Sequence, residues 1–206
     1  MRHLPTGRFA LSAIEYRPGT ALLVVDVQND FADPKGSLYV QDGEHVVLII
    51  NREIDRAQEG GVPVVYTQDW HPPDTPHFAK YGGKWPVHCV HDTWGAEFHP
   101  DLKVVGETIH KATGPEDGYS GFSMTHLPTD ERRETGLEQL LRDRGVGRVV
   151  IAGLATDYCV KETGLDAVEM GFDTEVITEA TRPVEVEPGD GVRALRDIEQ
   201  AGVRLV

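Results

Sequence analysis

Arg148-Val-Val-Ile-Ala-Gly-Leu-Ala-Thr-Asp-Tyr-Cys159 is the stretch from which the fold is read. An apolar run of this length, bounded by turn residues, is what a strand buried on both faces looks like. It passes through Gly153 into a helix expected from Thr156, and so sets a thiol at a strand–helix junction. A helix start offers unpaired N–H donors and a positive dipole end, which favour a thiolate. Alone, the segment also fits a packed structural cysteine.

The same pattern recurs along the chain. Apolar strands are expected at Ala21–Val25, Val62–Thr67, Val104–His110, Arg148–Gly153, Thr174–Thr178 and Val203–Val206. Helical patterns cover Glu44–Glu59, Glu134–Arg144, Thr156–Met170 and Gly189–Gln200, with glycines at several of their C-terminal ends. Strand–helix alternation of this kind predicts a single-domain, three-layer α/β/α fold. Its core is a mostly parallel six-stranded sheet with helices on both faces. Residues 21–206 form that domain, preceded by an N-terminal extension over residues 1–20. Two irregular stretches interrupt the alternation: Trp70–Leu102, rich in Pro, Gly, His and Trp, and Gly114–Arg133, a candidate lid.

Composition narrows the function. A formal charge of −14 over 206 residues argues against nucleic acid or an anionic membrane as partner. Two cysteines make no disulfide framework, and no apolar run approaches the roughly 20 residues of a membrane span. The expectation is a soluble cytoplasmic protein.

Three junctions supply reactive groups. Ala21–Val25 runs into Asp26, the stretch Val104–His110 ends at Lys111, and Arg148–Gly153 leads to Cys159. In open α/β sheets ligands gather beyond the carboxyl ends of the strands. There a carboxylate can take the thiol proton, the thiolate attack a carbonyl carbon, and the ammonium balance charge. Six of the nine histidines lie between His71 and His110. Asp69 and His71, two apart on an extended chain, project to one side; His77 and His88 follow. Carboxylate plus imidazole suits zinc, iron or manganese, whereas hydrogen-bonded loop histidines are the plainer alternative. His91 and His99 are read as solvated or structural, and Cys89 as a packed thiol rather than a ligand. Phe31, Trp85, Tyr119 and Phe122 stand near these polar groups, where they fill core or clamp a flat ring.

In order, Asp26-Val-Gln-Asn-Asp-Phe31, Asp69-Trp-His71, His77-Phe, Trp85-Pro-Val-His-Cys, Lys111, Tyr119-Ser-Gly-Phe122 and Ala155-Thr-Asp-Tyr-Cys159 resemble the nicotinamidase group of the isochorismatase-like cysteine hydrolase superfamily. The resemblance implies Cys159 as nucleophile, Asp26 as general base and Lys111 completing the triad. It implies an oxyanion hole from the backbone N–H groups of Ala155 and Cys159, aimed by a cis Leu154–Ala155 peptide. It implies Phe31, Trp85, Tyr119 and Leu154 as substrate contacts. Asp69, His71, His77 and His88 would hold one divalent ion, zinc first, with iron or manganese as alternatives. The expected partners are a small-molecule amide and further copies of the chain in a homo-oligomer. Competing readings are a related cysteine amidase for another aryl or N-carbamoyl amide, a vinyl ether hydrolase, a hydrolase using metal-bound hydroxide, and a non-catalytic binding module. The chain departs from the pattern in its N-terminal extension and at Ala112, where many relatives carry glycine.

Overall fold

The computed structural model describes residues 14–206; most of the expected N-terminal extension lies outside the described residues. Its last residues are docked. The Ile14 carbonyl accepts from Arg56, the Glu15 carbonyl from Arg148, and the Tyr16 hydroxyl donates to Glu53 at 3.1 Å.

The main sheet contains β1 (Thr20–Val25), β2 (Val64–Asp69), β3 (Glu107–Lys111), β7 (Arg148–Leu154), β8 (Asp173–Arg182) and β9 (Arg204–Leu205). Their order is β3-β2-β1-β7-β8-β9, and every pairing is parallel. The side chains of β1 alternate between two cores. Leu22 and Val24 pack with Ile50 and Ile54 of α2 (Gly43–Glu59). Leu23 and Val25 pack with Leu141 of α3 (Leu137–Asp143), Ala167 of α4 (Lys161–Glu169) and Ile198 of α5 (Asp190–Gln200). Each fully buried Leu or Ile contributes about 1.5–3 kcal/mol. All six residues of β1 are buried, which explains its unbroken apolar run. Among the described residues, no helix is long and apolar enough to cross a membrane.

Successive strands run outward from β1 to β3, and from β7 to β9 on the other side. The reversal lies between β1 and β7, where a crevice opens at the carboxyl ends of strands. Gly153 sets that edge. Its φ is +127°, and a Cβ there would stand 2.0 Å from the Val25 carbonyl oxygen, so only glycine lets the two strand ends approach.

Several expectations shift, among them the helix expected from Glu134, which begins at Leu137. β3 begins at Glu107 because Val104 and Val105 are about half exposed and lie before the pairing with β2. β8 continues past Thr178 to Arg182, pairing again with β7 beyond a bulge. The helix expected from Thr156 is divided into a π-helical turn, Thr156–Val160, followed by α4. The irregular lid is in part a three-stranded antiparallel sheet, β4 (Glu116–Asp117), β5 (Ser123–His126) and β6 (Glu131–Glu134). Fully exposed β6, Glu-Arg-Arg-Glu, carries no apolar alternation by which a strand is recognised. Its arginines tie the lid down: Arg133 meets Glu116 at 3.0 Å and Arg132 meets Asp166 of α4 at 2.9 Å. A short helix, α1 (Asn29–Ala32), also went unread, as a single turn has no periodicity to show.

Candidate active site

Asp26 leaves β1 in the left-handed region, φ +49°, a conformation Asp tolerates better than most residues. Its carboxylate is fully buried. Oδ1 accepts the Thr67 hydroxyl at 2.6 Å, and Oδ2 lies 2.8 Å from Lys111 Nζ, off the axis of a good hydrogen bond. Oδ2 therefore keeps lone-pair capacity for another donor. Lys111, at the end of β3 and fully buried, donates to Asp69 Oδ1 and to the Gly118 carbonyl, with Cys159 Sγ at 3.6 Å. Three strand ends thus deliver Asp26, Lys111 and Cys159 to one buried cluster.

Electrostatics follow from burial. Burial and the Asp69 charge push the Asp26 carboxyl up to about 6 against the opposing pull of Lys111. Burial would lower Lys111, but Asp26 and Asp69 hold its ammonium well above the ordinary lysine range. Burial also raises the Cys159 thiol, and both carboxylates add to that, while Lys111 opposes. The thiol is thus pushed toward its protonated form, beside a carboxyl raised to about 6.

Asp69 ends β2. The side-chain amide of Gln28 clamps its backbone, donating to the Asp69 carbonyl at 2.8 Å and accepting the Asp69 N–H at 2.9 Å. Its second oxygen, Oδ2, lies 3.7 Å from His71 Nε2 and 3.9 Å from His88 Nε2. Burial raises the Asp69 carboxyl, but Lys111 and His71 outweigh it and hold it well below the carboxylate range. His71, His77 and His88 are all buried, and each presents a ligand atom within 4.8 Å of the others'. The expected donor set therefore converges.

The loop that carries these histidines is irregular yet fixed. His71 bridges Val90, Phe78 bridges Trp85, and the Asp30 carboxylate accepts the Cys89 N–H at 2.7 Å. Cys89 is fully buried, its sulfur 3.8 Å from the Gly95 carbonyl and outside the group of histidine ligand atoms, so it packs as a thiol. His99 is buried with its N–H on the Val27 carbonyl, and His91 pairs with its neighbour Asp92.

A recess opens above Cys159, walled by Phe31, Trp85 and Tyr119 together with Asp69, His71 and His88. Trp85 Nε1 donates to the Tyr119 hydroxyl at 2.8 Å, joining the histidine loop to the lid. Phe122 takes the core alternative, and the expectation for Leu154 needs correction. Phe122 does not line the recess; it packs in the core against Phe172, ring centroids 5.6 Å apart. The Leu154 side chain is fully buried in the opposite core and forms no part of the wall. The Leu154–Ala155 peptide is cis, and Ala155 itself lines the recess.

Three wall residues escaped the sequence reading: Tyr158, Leu38 and Val184. Tyr158 stands beside Cys159 in the quoted motif and meets Trp85 edge to face at 4.8 Å, so its position was the available signal. Leu38 and Val184 lie in loops without a pattern. Asp117 was also missed: its Oδ1 hydrogen-bonds His77 Nδ1.

The isochorismatase domain profile matches residues 20–206. The nicotinamidase of Escherichia coli (strain K12) is 38% identical, the match covering 91% of this chain and 94% of that protein. The structure of Pyrococcus horikoshii pyrazinamidase in complex with zinc superposes with a TM-score of 0.82 at 40% identity, covering 92% of this chain and 99% of that one. A structure of an L. infantum protein in complex with nicotinate gives a TM-score of 0.84 at 33% identity, covering 92% of each.

Proposed function

The chain belongs to the isochorismatase family, and from that premise we propose that it is a nicotinamidase, hydrolysing nicotinamide to nicotinate and ammonia through a thioester on Cys159. The observation that carries this reading is the buried contact of Lys111 with Asp26 at 2.8 Å and with Cys159 at 3.6 Å, beneath an aromatic-walled recess.

Asp26 takes the thiol proton on Oδ2 as Sγ attacks the amide carbon. The oxyanion that forms is held by the N–H groups of Ala155 and Cys159, each donor of this kind lowering a barrier by about 3–4 kcal/mol. Asp26 then passes its proton to the amide nitrogen, which leaves as ammonia. Asp26 next takes a proton from water, whose oxygen attacks the thioester; nicotinate departs and the thiol regains its proton. Lys111 stays charged throughout and offsets the negative charge on Asp26 and sulfur. Phe31, Trp85 and Tyr119 hold the ring by stacking.

The donor set fits a divalent cation. Both ring nitrogens of His71 are buried without a hydrogen-bond partner among the described residues, an arrangement that costs about 1–3 kcal/mol per orphaned group unless something is bound. Burial also lowers His71, and takes His88 down to about 4, so both are neutral ligands at pH 7. Asp69, His71, His77 and His88 would hold the ion, which when bound supplies a Lewis-acid contact for the pyridine nitrogen. Zinc matches this mixed carboxylate–imidazole set.

Ammonia release from nicotinamide, with zinc present and after chelation, tests the function. Turnover that falls on chelation and returns with zinc supports it. Failure to turn over nicotinamide in any metal state, with hydrolysis of another aryl or N-carbamoyl amide, favours the related amidase instead.

A further inference from the structure

Of the three imidazoles in the cluster, one is held by a charged side chain. His88 Nδ1 is bonded to the Pro86 carbonyl at 2.8 Å, and neither nitrogen of His71 has a hydrogen-bond partner among the described residues. His77 Nδ1 is bonded to the Asp117 carboxylate, forty residues along the chain and on a different element. The His77 ring is buried, whereas Asp117 is about a quarter exposed.

We propose that Asp117 is a positioning residue for the cation site, holding His77 as the Nδ1–H tautomer so that Nε2 is the nitrogen with a lone pair to give. The inference rests on the reading that the histidine cluster binds a divalent cation. A carboxylate behind a ligating imidazole fixes its ring and strengthens it as a donor, and losing such a partner typically costs 10–100-fold in metal affinity.

The surroundings of Asp117 suit this work. It lies in β4, in register opposite Thr125 of β5. The next residue, Gly118, gives its carbonyl to Lys111, and Tyr119 receives the Trp85 indole N–H. The backbone carrying the carboxylate is therefore pinned from both sides. Among the described residues nothing else bonds His77 Nδ1: His71 stacks on its face at 4.6 Å and 17°, and Tyr119 is tilted against it at 5.9 Å, contacts indifferent to where the proton sits. Three successive residues of the lid thus address the cation ligands, the catalytic lysine and the ring clamp.

The test uses zinc alone, titrated by chelator competition into the metal-stripped full chain. Asp117→Ala should weaken zinc binding about 10–100-fold, and Asp117→Asn, which keeps an acceptor without the charge, by less. In a His77→Ala background, Asp117→Ala should add almost nothing, whereas a merely structural role would add its full effect there too. Histidine ¹⁵N spectra of the metal-free protein should show His77 as the Nδ1–H tautomer, becoming a mixture in Asp117→Ala. Thermal unfolding of the metal-free forms checks that the variants are folded. Equal zinc affinity in the parent and Asp117→Ala, or an Nε2–H tautomer in the parent, overturns the inference and leaves the cation site standing. A parent chain that takes up no zinc overturns both.

Discussion

Asp69 and Lys111 are joined by a buried ion pair that couples the two halves of the site. Asp69 Oδ1 accepts from Lys111 Nζ, which also lies against Asp26 and Cys159, while Oδ2 of the same carboxylate faces His71 and His88. One side chain thus ties the surroundings of Cys159 to the histidine cluster.

Removing Lys111 leaves two carboxylates buried without a cation. Lys111→Met is expected to destabilise the fold by about 3–5 kcal/mol, as breaking buried ion pairs does. Loss should be larger at pH 8 than at pH 5, since near pH 5 Asp26 can take a proton and relieve the repulsion. Urea unfolding at the two pH values reads this, and equal stability of parent and variant at pH 8 would rule out the ion pair as a structural element.

In the proposed mechanism Asp26 has to be ionised to accept the thiol proton. With burial and Asp69 raising the Asp26 carboxyl to about 6, kcat/KM should fall tenfold per pH unit below that value and level off above it. Thr67→Val deletes the hydroxyl that stabilises the ionised form, so the acid limb moves upward in pH while the plateau is largely retained. A limb that stays in place, or one that moves downward, contradicts the assignment of Asp26 as base.

Cys159→Ala should reduce nicotinamide turnover by about 10⁴-fold or more, the scale on which nucleophile deletions act, and leave zinc content unchanged. Activity within tenfold of the parent would instead point to attack by metal-bound hydroxide.

Gly153→Ala tests how closely the two central strand ends must approach. Its methyl would need the place of the Val25 carbonyl oxygen, 2.0 Å away, at a φ of +127° that L residues rarely adopt. A loss of at least about 3 kcal/mol is expected, with weaker activity in whatever folds, because Asp26 follows Val25 directly. A variant as stable and active as the parent would show that the ends can separate freely.

Much of the site was readable because its chemistry sits at the ends of buried strands. Asp26, Asp69 and Cys159 each stand past the end of an apolar run, and a strand buried on both faces announces itself by composition alone; Lys111 closes the more exposed strand β3, which carries no such run. The doubled helix face of α2 is equally legible from its spacing of Val46, Val47, Ile50 and Ile54. What was missed lacks such a signature. The strands of the lid are short and charged, and they exist through backbone pairing that any side chain permits. Phe122 and Tyr119 are three residues apart in one motif, yet one enters the core and the other the recess.

By its sequence alone this chain determined a parallel sheet with helices on both sides and the identity of the groups at its carboxyl edge, since burial and periodicity are properties of neighbouring residues. Only the tertiary structure decided which of those groups touch. The contacts of Thr67 with Asp26, Gln28 with Asp69 and Asp117 with His77 span about forty residues each. They arise when separate strands and loops are brought together, and local spacing carries no record of that meeting.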